Sequence, residues 1–114
     1  MYKRNSRLLL EDIFESCVKI FQYTAGMEYN DFINDEKTID AVIRNFEIIG
    51  EAANRLPNEF ILKHNSVVWR QIIGLRNRLI HAYFGVDYQI LWKIINENLN
   101  AFKIQIETVL NNSK

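Results

Sequence analysis

Only four glycines and one proline punctuate 114 residues. The backbone therefore has few places where it is free to reverse or obliged to break, and long helices are the economical fold. Apolar side chains between those points recur at intervals of three and four. Residues 6–25 carry them at 9, 10, 13, 14, 17, 18, 20 and 21, which is one wide helical face. Asn5 or Ser6 can cap this helix, and Glu11 and Asp12 lie early in it, as the macrodipole prefers. Thr24-Ala25-Gly26 stops it. After a connecting stretch with Tyr29 and Phe32, Asn34 or Asp35 caps a second long helix running to about Leu56, with Ile39, Val42, Ile43, Phe46, Ile49, Ala53 and Leu56 as its stripe. Pro57 suits the first turn of a short helix to Lys63. His64-Asn65-Ser66 reads as a break and a cap. Val68, Trp69, Ile72, Ile73, Leu75, Leu79 and Ile80 mark a fourth helix ending near Phe84-Gly85. Asp87 caps the last, along which Leu91, Ile95, Leu99, Phe102, Ile106 and Val109 recur. No convincing strand alternation, internal repeat or low-complexity linker interrupts this pattern. The expected fold is an all-α antiparallel helical bundle, one domain spanning residues 1–114.

Composition bounds the class. Hydrophobic residues make up 48% of the chain, enough for a core and too many for a disordered polyelectrolyte. The single cysteine, Cys17, can form no internal disulfide and no four-cysteine zinc site, and it sits on an apolar helical face as a small buried side chain. A reducing, cytoplasmic setting fits. The basic amino terminus is followed by Leu8-Leu9-Leu10, which stops at Glu11 and Asp12, so no signal peptide is expected, and no membrane-spanning stretch is present.

Fourteen bases balance fourteen acids, yet the zero is a cancellation. Residues 28–51 hold seven acids against two bases, whereas residues 55–81 hold five bases against one acid, with His64 and His81 uncounted. A local basic face can attract a polyanion despite the neutral total. The simpler alternative is that the two segments pair as neighbouring helices. The acids Asp35, Asp40, Glu47 and Glu51 read as a solvated surface rather than a metal centre.

Polar groups interrupt the apolar fourth helix at Gly74-Leu75-Arg76-Asn77-Arg78-Leu79-Ile80-His81-Ala82-Tyr83-Phe84-Gly85. The stripe 69, 72, 73, 76, 80, 83 passes through Arg76, where a core residue would be expected and an unpaired guanidinium would be costly. At about 100° per residue, His81 lies about 40° from Asn77 and about 60° from Arg78, but about 140° from Arg76. One straight helix thus presents Asn77, Arg78 and His81 together, and Arg76 joins them only through a helix distortion or a second subunit. Arginine, amide and imidazole suit attack on a phosphodiester. His81 can take a 2′-hydroxyl proton or protonate the leaving oxygen. Arg76 or Arg78 can neutralise charge developing on phosphorus, and Asn77 can orient the imidazole or a phosphate oxygen. This chemistry needs no metal or other cofactor. The same residues also admit structural roles, with His81 as a helix-end hydrogen-bonder, the arginines as ion pairs to the acidic helix, and Tyr83 and Phe84 as packing aromatics.

Arg76, four residues, His81, one residue and Tyr83 reproduce the R-x4-H-x-Y pattern of the HepT-like ribonuclease toxins of the HEPN superfamily, which the chain resembles over nearly its whole length. Ile48 to Ala53, Trp69 to Gly74, Arg76-Asn77-Arg78 and Tyr83 to Asp87 all look like that family. The resemblance implies an all-α homodimer with its cleft at the subunit interface and metal-independent RNA cleavage by Arg76 and His81, with Asn77 and Arg78 in support. It also implies a toxin–antitoxin partner, a MntA-type minimal nucleotidyltransferase that silences the toxin by transferring AMP onto Tyr83, where phosphate and adenosine would block RNA by bulk and charge. Two other classes compete: a non-catalytic HEPN subunit presenting substrate to a nucleotidyltransferase, and a plain helical dimerisation module in which Arg76 and His81 are structural.

Overall fold

The computed structural model describes residues 5–65, 67, 69–81 and 87–112, with the side chains of 76–81 outside the description. All regular structure among them is helical. Helix α1 spans Ser6–Thr24 and begins where Asn5 Oδ1 accepts the Leu8 amide at 2.9 Å. It ends where Gly26 takes a positive φ of 75°, the left-handed turn a side chain would disfavour. Helix α2, Tyr29–Ile33, forms in the stretch read from the sequence as a connection. Asp31 turns back to accept the Glu28 amide at 2.9 Å, and Phe32 anchors the turn with no exposed surface.

Helix α3, Glu36–Arg55, is capped by Asp35, whose carboxylate accepts the Thr38 amide at 3.1 Å. Those bonds from Thr38 favour the charged form and hold the Asp35 carboxyl below its ordinary range. The buried stripe of α3 is the expected one, with Val42, Phe46, Ile49 and Ala53 at most 1% exposed. Pro57 sits one position earlier than expected, at the N-cap of α4 (Asn58–Lys63) rather than inside its first turn. Helix α5 spans Trp69–His81; Val68 and the anticipated end near Phe84-Gly85 lie outside the described residues.

The last expected helix is two. Helix α6 covers Tyr88–Glu97 under an Asp87 cap, and α7 covers Leu99–Asn112. The break falls at Asn98 (φ −119°, ψ −36°), inside a run where residues 96, 98 and 100 are all asparagine. Asparagine is a weak helix former because its amide competes for backbone groups, as the Asn96 side chain does by donating to the Trp92 carbonyl at 2.9 Å. The apolar period runs through the junction, so Leu91, Ile95, Leu99, Phe102, Ile106 and Val109 are all buried as the spacing requires.

One hydrophobic cluster joins every helix except α4, whose Phe60 and Ile61 pack on it half-buried. Helix α3 packs against both α1 and α5, and α7 closes on α1. The acidic and basic segments are therefore neighbours, α5 lying along α3. Lys103 on α7 lays its ammonium 6.0 Å from the Phe14 ring centroid and 5.7 Å from that of Phe21. Among the described residues no helix is long and apolar enough to cross a membrane.

Cys17 is fully buried, and the cost of placing a thiolate there pushes its pKa from 9.0 up to about 12, although Lys103 acts in the opposite direction. A raised folded-state value means that the neutral thiol supports the fold below the unfolded pKa. That contribution is lost as pH climbs from 9.0 towards about 12. Wild-type protein should therefore lose more stability across that window than Cys17→Ala in urea titrations, while resisting thiol alkylation at neutral pH until it unfolds. Equal alkaline losses in both proteins would contradict this account.

Candidate active site

Helix α5 is seated at its amino-terminal end. Trp69 is 3% exposed, its indole N–H donates to the His64 carbonyl at 3.0 Å, and its ring meets Phe102 edge-on at 6.4 Å and Phe60 at 6.3 Å. His64, in the turn before α5, stacks its ring 4.4 Å from Phe60, which gives it a packing role. Ile72 continues the buried stripe one turn on, and Ile73 and Leu75 are half-buried beside it. Trp92, the other tryptophan, lies 5.0 Å from Phe32 and 6.4 Å from Tyr29, so both tryptophans are packing residues.

From that anchor the helix runs unbroken through Arg76, Asn77, Arg78 and His81. All four candidates thus lie on its last two turns, within about 8 Å along the axis. The helical register places position 76 on the line of Trp69, Ile72 and Ile73, the stripe that faces the core. It places positions 78 and 81 on the line of Gln71 and Gly74 instead. A regular helix therefore separates Arg76 from His81 by about 140° around its axis. The helical assignment at all these positions shows no local break that would bring them to one face. Tyr83 lies outside the described residues.

The Gln71–Gly74–Leu75 side of α5 is not closed over. It forms one wall of a cleft of about 550 Å³ whose other wall is the α6–α7 junction, including Ile94, Glu97, Asn98 and Phe102. A β-carbon on Gly74 would meet nothing within 4 Å. Sequence reading missed this cleft because it depends on the break at Asn98, which a continuous hydrophobic period conceals. Among the described residues no group of three or more histidine, cysteine or carboxylate side chains is placed to hold a metal ion.

Glycine within a helix costs about 0.5–1 kcal/mol relative to alanine through backbone entropy, and the described packing around Gly74 gives no steric reason for it. Gly74→Ala should therefore raise the stability of the isolated protein by about that amount in chemical denaturation. A loss of stability would show that a contact within the folded chain requires the missing side chain.

Residues 13–109 match the family model described as Ribonuclease HepT-like. The chain is 45% identical over 109 residues to a Methanocaldococcus jannaschii protein named "Putative RNase MJ1380", covering 96% of this chain and all of that one. It is 44% identical over 105 residues to the Thermococcus cleftensis "Probable ribonuclease HepT", covering 92% and 96% of the two chains. A Caldanaerobacter subterraneus protein named "Putative RNase TTE0752" is 38% identical over 111 residues, covering 97% and 99%. No solved structure matches the chain. A match of this extent, on an all-helical chain that carries Arg76, His81 and Tyr83 in the expected frame, makes the chain a member of the HepT-like ribonuclease family within the HEPN superfamily, and an endoribonuclease by that membership.

Proposed function

We propose that the chain is the toxin of a toxin–antitoxin pair and cuts RNA without a metal ion, at a site that two copies of the chain complete together. The observation that carries this reading is the helical register of α5: an unbroken helix holds Arg76 and His81 on different faces, so a site using both draws them from two protomers. In such a homodimer His81 of one chain acts on the 2′-hydroxyl proton. The Arg76 guanidinium stabilises charge on the phosphorane oxygens. Asn77 and Arg78, within about 60° of His81 around the helix, hold the phosphate and the imidazole in line. The 2′-oxygen attacks phosphorus as its proton passes to His81, the bond to the 5′-oxygen breaks, and that leaving oxygen takes a proton from water. The basic segment containing these residues supplies the attraction that the neutral total hides.

Tyr83 follows His81 by two residues. In this reading a MntA-type nucleotidyltransferase antitoxin transfers AMP from ATP to its hydroxyl and releases pyrophosphate. The new phosphodiester adds negative charge and an adenosine close to the imidazole, which repels and obstructs RNA.

Protein made without its antitoxin should cleave total RNA in excess EDTA, and His81→Ala should lose at least about a hundredfold of that activity. Mixing inactive Arg76→Ala and His81→Ala chains should restore part of it, since a heterodimer keeps one intact composite site. Cleavage that persists in His81→Ala, or no recovery on mixing chains shown to exchange, would overturn the composite site. Incubation with ATP and the nucleotidyltransferase should add one or more AMP masses and suppress cleavage. Tyr83→Phe should neither gain the mass nor be silenced.

A further inference from the structure

The cleft beside α5 lies on the same helical line as positions 78 and 81, about 10 Å along the axis from Gly74 to His81. Its chemistry differs from that of the basic segment. The wall carries three amides, Gln71, Asn98 and Gln105, and the carboxylate of Glu97, above a floor that includes Leu75, Ile94 and Phe102. Among the described lining residues there is no cation, so the cleft is poorly suited to a phosphate. An apolar floor with a few polar groups at the rim is the usual form of a pocket for a flat heterocycle, and about 550 Å³ is ample for one base and its ribose. Amides and carboxylates are also the groups that read base edges, the amide by donating and accepting at once, the carboxylate by accepting only. Gly74 lines this cleft, and a side chain at that position would project into open space rather than against the described chain.

We propose that this cleft is a nucleobase subsite that takes an unpaired base close to the scissile phosphodiester and so gives the enzyme a base preference. The inference rests on the ribonuclease reading above and extends it to substrate choice. Unpaired RNA is the substrate class that follows, because a base held between α5 and the α6–α7 junction must leave its stack and its partner. Glu97, Asn98 and Gln71 act as specificity residues, while the reacting groups remain on the last two turns of α5.

The test is a cleavage-site map on a randomised single-stranded RNA pool, with the full-length protein and its variants at matched turnover. Wild type should show one dominant base at one fixed register from the cut. Asn98→Ala with Gln71→Ala should lower that preference about tenfold or more at matched turnover. Glu97→Gln should alter which base is preferred, because an acceptor-only group becomes a donor and acceptor. Gly74→Leu, which fills the open mouth, should weaken binding of short oligoribonucleotides by the inactive His81→Ala protein. If wild type cuts but shows no base preference, or if the preference survives these variants unchanged, the subsite is overturned while the ribonuclease stands. If wild type does not cut at all, the ribonuclease reading fails. In that case indiscriminate or absent binding of the four homopolymers by the unmodified protein overturns the base subsite as well.

Discussion

The burial of one face of α3 is the constraint on which the rest of the molecule depends. Val42, Phe46, Ile49 and Ala53 lie on one side of a 20-residue helix with almost no exposed surface, and α1 and α5 both pack against α3. Removing a buried side chain such as Phe46 costs about 3–5 kcal/mol through lost transfer energy and the cavity left behind, a large share of the stability of a chain this size. The small residues Gly50, Ala52 and Ala53 are buried near the carboxyl end of α3. They leave room for close approach of a neighbouring helix. Helix α5 is thereby held by its apolar side while its opposite side borders the open cleft.

That arrangement leaves the polar run of the proposed site at the far end of α5. The helix is fixed at Trp69 by a hydrogen bond, two aromatic contacts and nearly complete burial. It then runs as one continuous helix to His81. A catalytic group needs a stiff mount, and in the proposed site a helix anchored at Trp69 would supply one. The same helix imposes the limitation that the proposed dimer would resolve. Its period sends Arg76 to the core-facing stripe and His81 elsewhere, so a second copy is the economical way to oppose the two.

Much of this was legible in the sequence, for identifiable reasons. Caps at Asn5, Asp35 and Asp87 could be anticipated because short polar side chains satisfy the first free amides of a helix, and all three do so here. The stripes of α1, α3 and α7 could be read because apolar residues repeat with the helical period; most of them are buried, and Phe14, Val18, Phe21 and Ile43 are half-buried. Two features resisted. Phe32 gave no period in a five-residue segment, and α2 exists because a single buried aromatic pins it beneath Trp92. The break at Asn98 was hidden because Ile95, Leu99 and Phe102 keep their spacing across it. Hydrophobic period reports which face is buried, and it is blind to a bend that preserves that face.

The same blindness shaped the reading of the site. Arg76, Asn77, Arg78 and His81 stood out because they are polar where an apolar helix was expected, and their placement on the last turns of α5 follows from the helix alone. Glu97 and Asn98 could not stand out, since acids and amides near a helix end are ordinary surface residues, and only the junction between α6 and α7 brings them opposite Gln71 and Gly74. Residues that break a pattern announce chemistry in one dimension. Residues that read a substrate are often unremarkable until the fold sets them across a cleft from a helix that carries the reacting groups. If the proposed subsite takes a base, α5 carries both one wall of it and the position of His81, so a base held against Gln71 would also be placed relative to that histidine.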